Sequence, residues 1–416
     1  MQLSKWQEIR WRDFVEVNPK MSLIKGNKYP FIEMQDILPA NRYISSDTMK
    51  IYNGGGAKFI KGDTLFARIT PCLENGKIAQ VKEIIDEYGF GSTEFIVFRG
   101  REGISDKDFV YYISRSDIIR QPAIKSMSGA SGRQRADQKV VENTIVNVPQ
   151  IGIQHKIASI LSAYDDLIEN NNRRIKILEE MAQTIYNEWF VKFRFPGHSK
   201  VKMVDSELGK IPEGWAVEKT GDVFETVLGG TPSRVKTEYW ENGNIPWINS
   251  GKVNELRIID ESEFITELGL KKSATKLMPK RTTVLAITGA TLGQVSLLEI
   301  EACANQSVVG IYDEKAIYNE YIYFKFCEII QAVISKAGGG AQQHINKEIV
   351  NETIVVFPSQ QLIEQFNTLI SPIFDLIGNL LRKNKFLQET RDVLLPKLIS
   401  GEIDVEHLDI KTEDKE

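Results

Sequence analysis

The chain has 416 residues, 42% of them hydrophobic and 9% aromatic, which is more than a single core holds and too apolar for disorder. The formal net charge of −4 offers no bulk attraction to a polyanion, but acids are concentrated in the last fifteen residues, with seven against two lysines. Three scattered cysteines, Cys72, Cys303 and Cys327, lack the spacing of a zinc site or a disulfide framework, and no apolar run approaches the ~20 residues of a membrane span.

The opening MQLSKWQEIRWRDF is charged and has no apolar stretch, unlike a secretory signal. With the free thiols, it leads us to expect a cytoplasmic protein without a membrane association. Short β-type runs follow at Thr64–Ile69 and Glu94–Phe98, separated by turn-rich loops. A helix is expected over Asp106–Ser126. Arg115 to Lys139 then holds six basic residues and two acids, a local density that matters more for phosphate contact than the chain's total.

From Ile157 the residues Leu161, Tyr164, Ile168, Asn171, Ile175, Leu178, Ala182, Ile185 and Trp189 recur in steps of three and four. That is the a/d seam of a coiled coil. The second half repeats the order. Strands are expected at Val284–Thr288 and Ser307–Tyr312, and a helix at Tyr318–Lys336. A second seam runs Ile363, Phe366, Ile370, Ile373, Ile377, Leu380, Asn384, Leu387, Arg391, Leu394 and Leu398. About 38 residues at 1.5 Å each give a rod of ~57 Å. Two such rods bury one another's apolar stripes, with Asn171 and Asn384 fixing register and orientation. Pro372 is expected to kink or restart the second rod.

The two halves are copies. Trp6 and Asp13 recur at Trp215 and Asp222, and KVVENTIVNVP (Lys139 to Pro149) faces EIVNETIVVFP (Glu348 to Pro358), both at an offset of 209. Between these anchors the register drifts, so that Thr64-Leu65 matches Thr283-Val284 at 219. Insertions of that kind belong to surface loops. The expected architecture is α+β: two pseudo-symmetric globular domains, each followed by a long helix, the helices pairing as an antiparallel coiled coil. The boundaries read as 1–152, 153–194, 195–358 and 359–400, with an acidic tail over 401–416.

Motifs for chemistry are missing. There is no phosphate-binding GxxxxGK[ST], no GxGxxG opening a helix after a strand, no GxSxG elbow and no Asn/Asp-Pro-Pro-Tyr run. His155, His198, His344 and His407 are too dispersed for a histidine metal cluster. The glycine runs 54–56 and 338–340 read as turns. No cofactor or metal is expected, and binding is the function that remains.

Strings in the chain resemble the specificity subunits of Type I restriction–modification systems. The second half opens with ELGKIPEGWAV (Glu207 to Val217), then GGTPS (Gly229 to Ser233) and IPWINSGKV (Ile245 to Val253). The first half has YPFI (Tyr29 to Ile32) and RITPCLENGK (Arg68 to Lys77), and the rods end in WFVKF (Trp189 to Phe193) and LLPKLISGEI (Leu394 to Ile403). The resemblance implies two target-recognition domains, each reading one half of a split double-stranded DNA sequence, with the helices as the spacer. It also implies docking of two methyltransferase subunits, joined by motor-nuclease subunits; S-adenosylmethionine and ATP would belong to those partners. Three alternatives stay open: an enzyme that methylates or cleaves DNA alone, a coiled-coil scaffold that never meets DNA, and a related system whose partner fuses modification and cutting.

The family fixes no list of base-reading residues, so candidates rest on chemistry. Arg and Lys read guanine, Asn and Gln read adenine. In the first domain these are Arg68, Lys77, Arg133, Gln134 and Arg135, the last three in the small-residue loop SGASGRQR (Ser128 to Arg135). The corresponding loop GGGAQQH carries Gln342, Gln343 and His344, joined by Lys252, Thr288, Gln294 and Gln306. The ordinary alternative for each is a solvated loop side chain, with phosphate as good a partner as a base for the two loops.

Overall fold

A computed structural model describes residues 6–130, 132–336 and 344–410. Two compact units emerge, one of residues 1–171 with 384–416 and the other of 172–383. Each unit takes one globular lobe together with a part of both long helices.

In the first unit, Val15–Val17, Phe95–Gly100, Thr64–Ala67, Ile78–Ile84 and Tyr43–Ser46 form a five-stranded sheet in that order, antiparallel except for the last pair. A second sheet joins Met49–Ile51, Lys28–Ile32, Gly89–Gly91 and Ala57–Phe59. The fully buried run Thr64–Ala67 and the nearly continuous apolar run Phe95–Phe98 are what a strand covered on both faces requires. The expected helix over Asp106–Ser126 is two helices, Lys107–Arg115 and Asp117–Lys125. They part at Ser116, which is extended (ψ 164°), its hydroxyl donating to the Ile113 carbonyl. That side-chain bond competes with helix propagation.

The anchors that keep step in sequence pair with one another in space. Trp6–Arg10 lies antiparallel to Ile145–Pro149, and Ala216–Lys219 to Ile354–Phe357. Each pair closes its lobe beside the start of a long helix. The second lobe repeats the first with fewer strands in each sheet: Glu225–Leu228, Val308–Tyr312, Thr283–Ala286 and Val295–Leu297 in one, Glu263–Ile265, Ile245–Ile248 and Cys303–Ala304 in the other. Single bridges at Ile258–Leu298 (parallel) and Met278–Ala302 (antiparallel) stand where the first lobe has full strands. The drifting middle of the repeat is thus loop and edge, and the sheet centre is retained.

The long helices cover Ile151–Tyr186, continued by a π turn over Asn187–Val191, and Gln360–Ile399. No seam residue is exposed. In the first unit Ile157, Ala158 and Leu161 share the lobe's core with Leu395, Leu398 and Ile399. Farther along, Asp165 meets Arg391, and the Asn171 amide donates to the Asn384 carbonyl oxygen at 2.8 Å. Numbers rise along one helix as they fall along the other, so the pairing is antiparallel. The second unit shows the same sense: Ile175 packs with Ile377 and Leu380, and Trp189 meets Phe366 at 5.8 Å between rings.

Pro372 does not interrupt and restart the second helix, which runs unbroken from Gln360 to Ile399. Ile370, Phe374 and Ile377 around it are fully buried, and that packing outweighs one lost backbone bond. Among the described residues no helix is long and apolar enough to cross a membrane.

Buried charges tie sheet to helix in both lobes. Arg42 is 2% exposed and bonds Gln80, Tyr112, Asp108 and the Ser162 hydroxyl of the first long helix. Arg257, equally buried, reaches Glu179 at 2.6 Å and lies over the Phe374 ring at 3.8 Å. The buried carboxylate of Glu299 has Arg281, Lys280, Arg257 and Arg382 within 4 Å. Single-partner loss in such clusters is costly because a charge is left in low dielectric.

Candidate nucleic-acid interface

Three backbone segments meet at one end of the first lobe's larger sheet. The Arg68 N–H donates to the Glu94 carbonyl at 2.9 Å, the Ala136 N–H to the Arg68 carbonyl at 2.8 Å, and the Thr70 N–H to the Gln134 carbonyl at 2.9 Å. Arg135 exchanges two backbone bonds with Ser128, at 2.9 and 3.1 Å, closing the loop between them. A side chain at Gly129, where φ is +131°, would stand 3.1 Å from the Arg133 carbonyl, so the small residue lets the loop turn back on itself.

This closure brings Arg68, Arg133, Gln134 and Arg135 together. Arg133 is exposed and has no ion pair among the described residues. Arg68 is half-buried, its Nε unbonded, and it lines cavities of about 500 and 640 Å³. Lys20, Lys58 and Lys139 stand on the same cavity walls, basic residues that spacing alone did not single out. Two candidates are engaged within the fold. Lys77 donates its ammonium to the Met34 carbonyl at 2.8 Å, and Arg135 grips Glu94. The Arg135 guanidinium holds the Glu94 carboxyl below its ordinary range.

The second lobe builds the same scaffold from other side chains. The Ile287 N–H donates to the Ser307 carbonyl, and the Ile345 N–H to the Ile287 carbonyl, at 2.9 and 3.0 Å. Ile287 therefore holds the place of Arg68, Ser307 that of Glu94 and His344 that of Arg135. Ile287 is a buried apolar residue, whereas His344 is exposed. Thr288 follows Ile287 directly. Gln294 is exposed in the hairpin beyond, its carbonyl accepting from Ala286, and Gln306 accepts from the Thr231 hydroxyl at 2.6 Å. Lys252 is enclosed by Asp260 and Glu255. Gln342 and Gln343, like the glycine run 338–340, lie outside the described residues.

The GGTPS string gains a role here. A side chain at Gly229 would fall 2.1 Å from the Asn305 carbonyl oxygen, and one at Gly230 2.6 Å from the Thr275 nitrogen. The two glycines let Thr231 sit against Gln306. Elsewhere, Asp404, Glu406 and His407 come within 4.8 Å of one another, an exposed grouping of a kind common without an ion. Burial pushes the Cys303 and Cys327 thiols up to about 11, so neither is a nucleophile at neutral pH.

A family model for the Type I restriction modification DNA specificity domain matches residues 3–180 and again 212–384. The chain is 28% identical over 307 residues to the Type I restriction enzyme MjaIX specificity subunit of Methanocaldococcus jannaschii, covering 72% of this chain and 70% of that one. It is 24% identical to the Type I restriction enzyme HindI specificity subunit of Haemophilus influenzae, over 91% and 95% of the two chains. The crystal structure of the Type-I restriction-modification system S subunit from M. genitalium has the same fold, with a TM-score of 0.55 at 16% identity over 96% of this chain and 98% of that one. Two lobes on one scaffold, each matched by the same model, place this chain in the Type I restriction–modification DNA specificity family.

Proposed function

We propose that this chain is the sequence-reading subunit of a Type I restriction–modification complex, with its first lobe reading one half of a split DNA target and its second lobe the other. The observation that carries this is a backbone scaffold shared by the two lobes and fitted with unlike side chains: Arg68 beside the Glu94–Arg135 pair and an exposed Arg133 in one lobe, a buried Ile287 beside an exposed His344 in the other. A shared scaffold supplies the same approach to a groove, and altered side chains supply a different reading.

In this proposal the recognition domains are 1–152 and 195–358, the spacer helices 153–194 and 359–400. The antiparallel helices set the number of unread base pairs and dock two methyltransferase subunits, with motor-nuclease subunits completing the assembly. The chain performs no chemistry of its own; methyl-donor and nucleotide chemistry would be supplied by those partners. The site of action would be the cytoplasm. A scaffold that never meets DNA is disfavoured by the family match and by the basic loop cluster.

Among the candidates, Arg68 and Arg133 are the base- or phosphate-contacting cations of the first lobe, with Gln134 beside them. Thr288, Gln294, Gln306, His344, Gln342 and Gln343 serve the second. Lys77 and Lys252 support their loops. The test is salt-dependent binding of duplex DNA. Arg133→Ala should lower the slope of log affinity against log salt by about 0.9 if it meets phosphate. Arg68→Ala should cost about 1–3 kcal/mol and relax one base position if it reads an edge. Binding indifferent to salt and to both substitutions refutes the reading.

A further inference from the structure

We propose that Glu94 and Arg135 form a positioning clamp that sets the specificity of the first lobe's loop, Arg135 acting through the fold and not on DNA. The inference rests on the DNA-reading function proposed above. It reassigns an arginine that composition alone would count as a DNA contact.

The Arg135 Nε donates to both Glu94 oxygens at 3.0 and 2.9 Å, and its Nη2 to one of them at 2.6 Å. Glu94 thus occupies the Nε–Nη2 edge of the guanidinium, the edge that a bidentate contact to phosphate or guanine would also use, and the pairing fixes the plane in which the remaining N–H groups lie. The two side chains are 46% and 20% exposed. A pair at that exposure contributes little to stability, so its consequence is geometric. Glu94 holds the loop with its side chain and Arg68 with its carbonyl, at 2.9 Å. Glu94 thus adds a side-chain tie to the backbone bonds from Ala136 to Arg68 and from Thr70 to Gln134 that already join the loop carrying Arg133 to the segment carrying Arg68.

The charges point the same way. A lone carboxylate on a surface that meets DNA opposes binding. Paired, Glu94 and Arg135 cancel, and the free positive charge of the cluster falls to Arg68 and Arg133. The second lobe has Ser307 and His344 in these places, neither of them a carboxylate or a guanidinium. The clamp is therefore a property of the first reader, not of the scaffold.

The test uses the full chain assembled with its modification subunits. The probe is a duplex selected from a randomised library by the wild-type complex. Affinity is read from about 50 to 200 mM salt, a range over which phosphate contacts dominate the slope. Glu94→Gln and Arg135→Gln should each weaken binding roughly three- to tenfold, as expected when one or two loop side chains must be ordered on binding. Their salt slopes should equal the wild-type slope, and the double variant should bind no worse than either single. Arg133→Gln should lower the slope by about 0.9. Tighter binding by Glu94→Gln, or a slope lowered by about one in Arg135→Gln, would overturn the clamp and make Arg135 a phosphate contact. Absence of salt-dependent binding by the wild-type complex would instead overturn the DNA-reading function, and the clamp with it.

Discussion

Replacing Arg391 by Met should unfold the first unit at a markedly lower temperature. Arg391 occupies a seam position of the second long helix, and its ion pair with Asp165 has side-chain exposures of 1% and 2%. Asp165 also accepts from the Tyr112 hydroxyl. The substitution keeps the apolar stem but leaves a buried carboxylate with one neutral donor. Removing one partner of such a pair costs about 3–5 kcal/mol. In a unit of about 200 residues each kcal/mol lowers the midpoint by about 2–4 °C, so a fall of about 6–20 °C is expected. Asp165→Leu combined with Arg391→Met removes both charges. Tyr112 then loses its acceptor but keeps Arg42 as a donor at 3.1 Å, so recovery to within about 1–2 kcal/mol of wild type is expected. Calorimetry of the full chain and of both variants gives the comparison. A loss below about 1 kcal/mol in Arg391→Met would mean that solvent reaches the pair, and the argument from burial would be wrong.

Three further outcomes follow from the geometry. Gly229→Ala forces a methyl group against the Asn305 carbonyl; a loss of about 1–3 kcal/mol in the second unit is expected, with the first unit's exchange protection unchanged. Asn171→Leu with Asn384→Leu should raise thermal stability while broadening helix register, seen as multiple cross-linking patterns between cysteines placed on the two helices. The Glu94 carboxyl titrates below its ordinary value in the folded chain, so the Arg135 contact adds stability that is present above that value and lost as pH falls through the depressed one. The protection factor of the Arg135 amide, its exchange rate relative to the intrinsic rate at the same pH, should hold at neutral pH and fall only in acid; a fall near neutrality would contradict the pairing.

The duplication and the helices were legible because they are periodic. An offset of 209 held at both ends of each repeat, and those ends are the strands that pair, Trp6–Arg10 with Ile145–Pro149 and Ala216–Lys219 with Ile354–Phe357. The seam positions were legible for the same reason. What periodicity could not say is which lobe each stretch of helix serves. Ile157 and Leu398 pack in one core, Tyr186 and Phe366 in another, so each helix is shared between the units. The loop candidates were read from residue type, which does not reveal partners. Glu94 lies 41 positions from Arg135, and Lys77 is captured by a backbone carbonyl that has no sequence signature. Ser116 looked like a helix interior and is a break. Pro372 suggested a kink or restart and lies inside a continuous helix, where its neighbours are buried.

The most direct measurement exchanges the first lobe's reading segments, Arg68 to Lys77 with Ser128 to Ala136, for those of a relative with another target, and maps the methylated bases left by the assembled complex. Two independent readers predict one half of the methylated sequence altered, the other half and the gap between them unchanged. A complex that changes both halves, or changes the gap, would contradict the account.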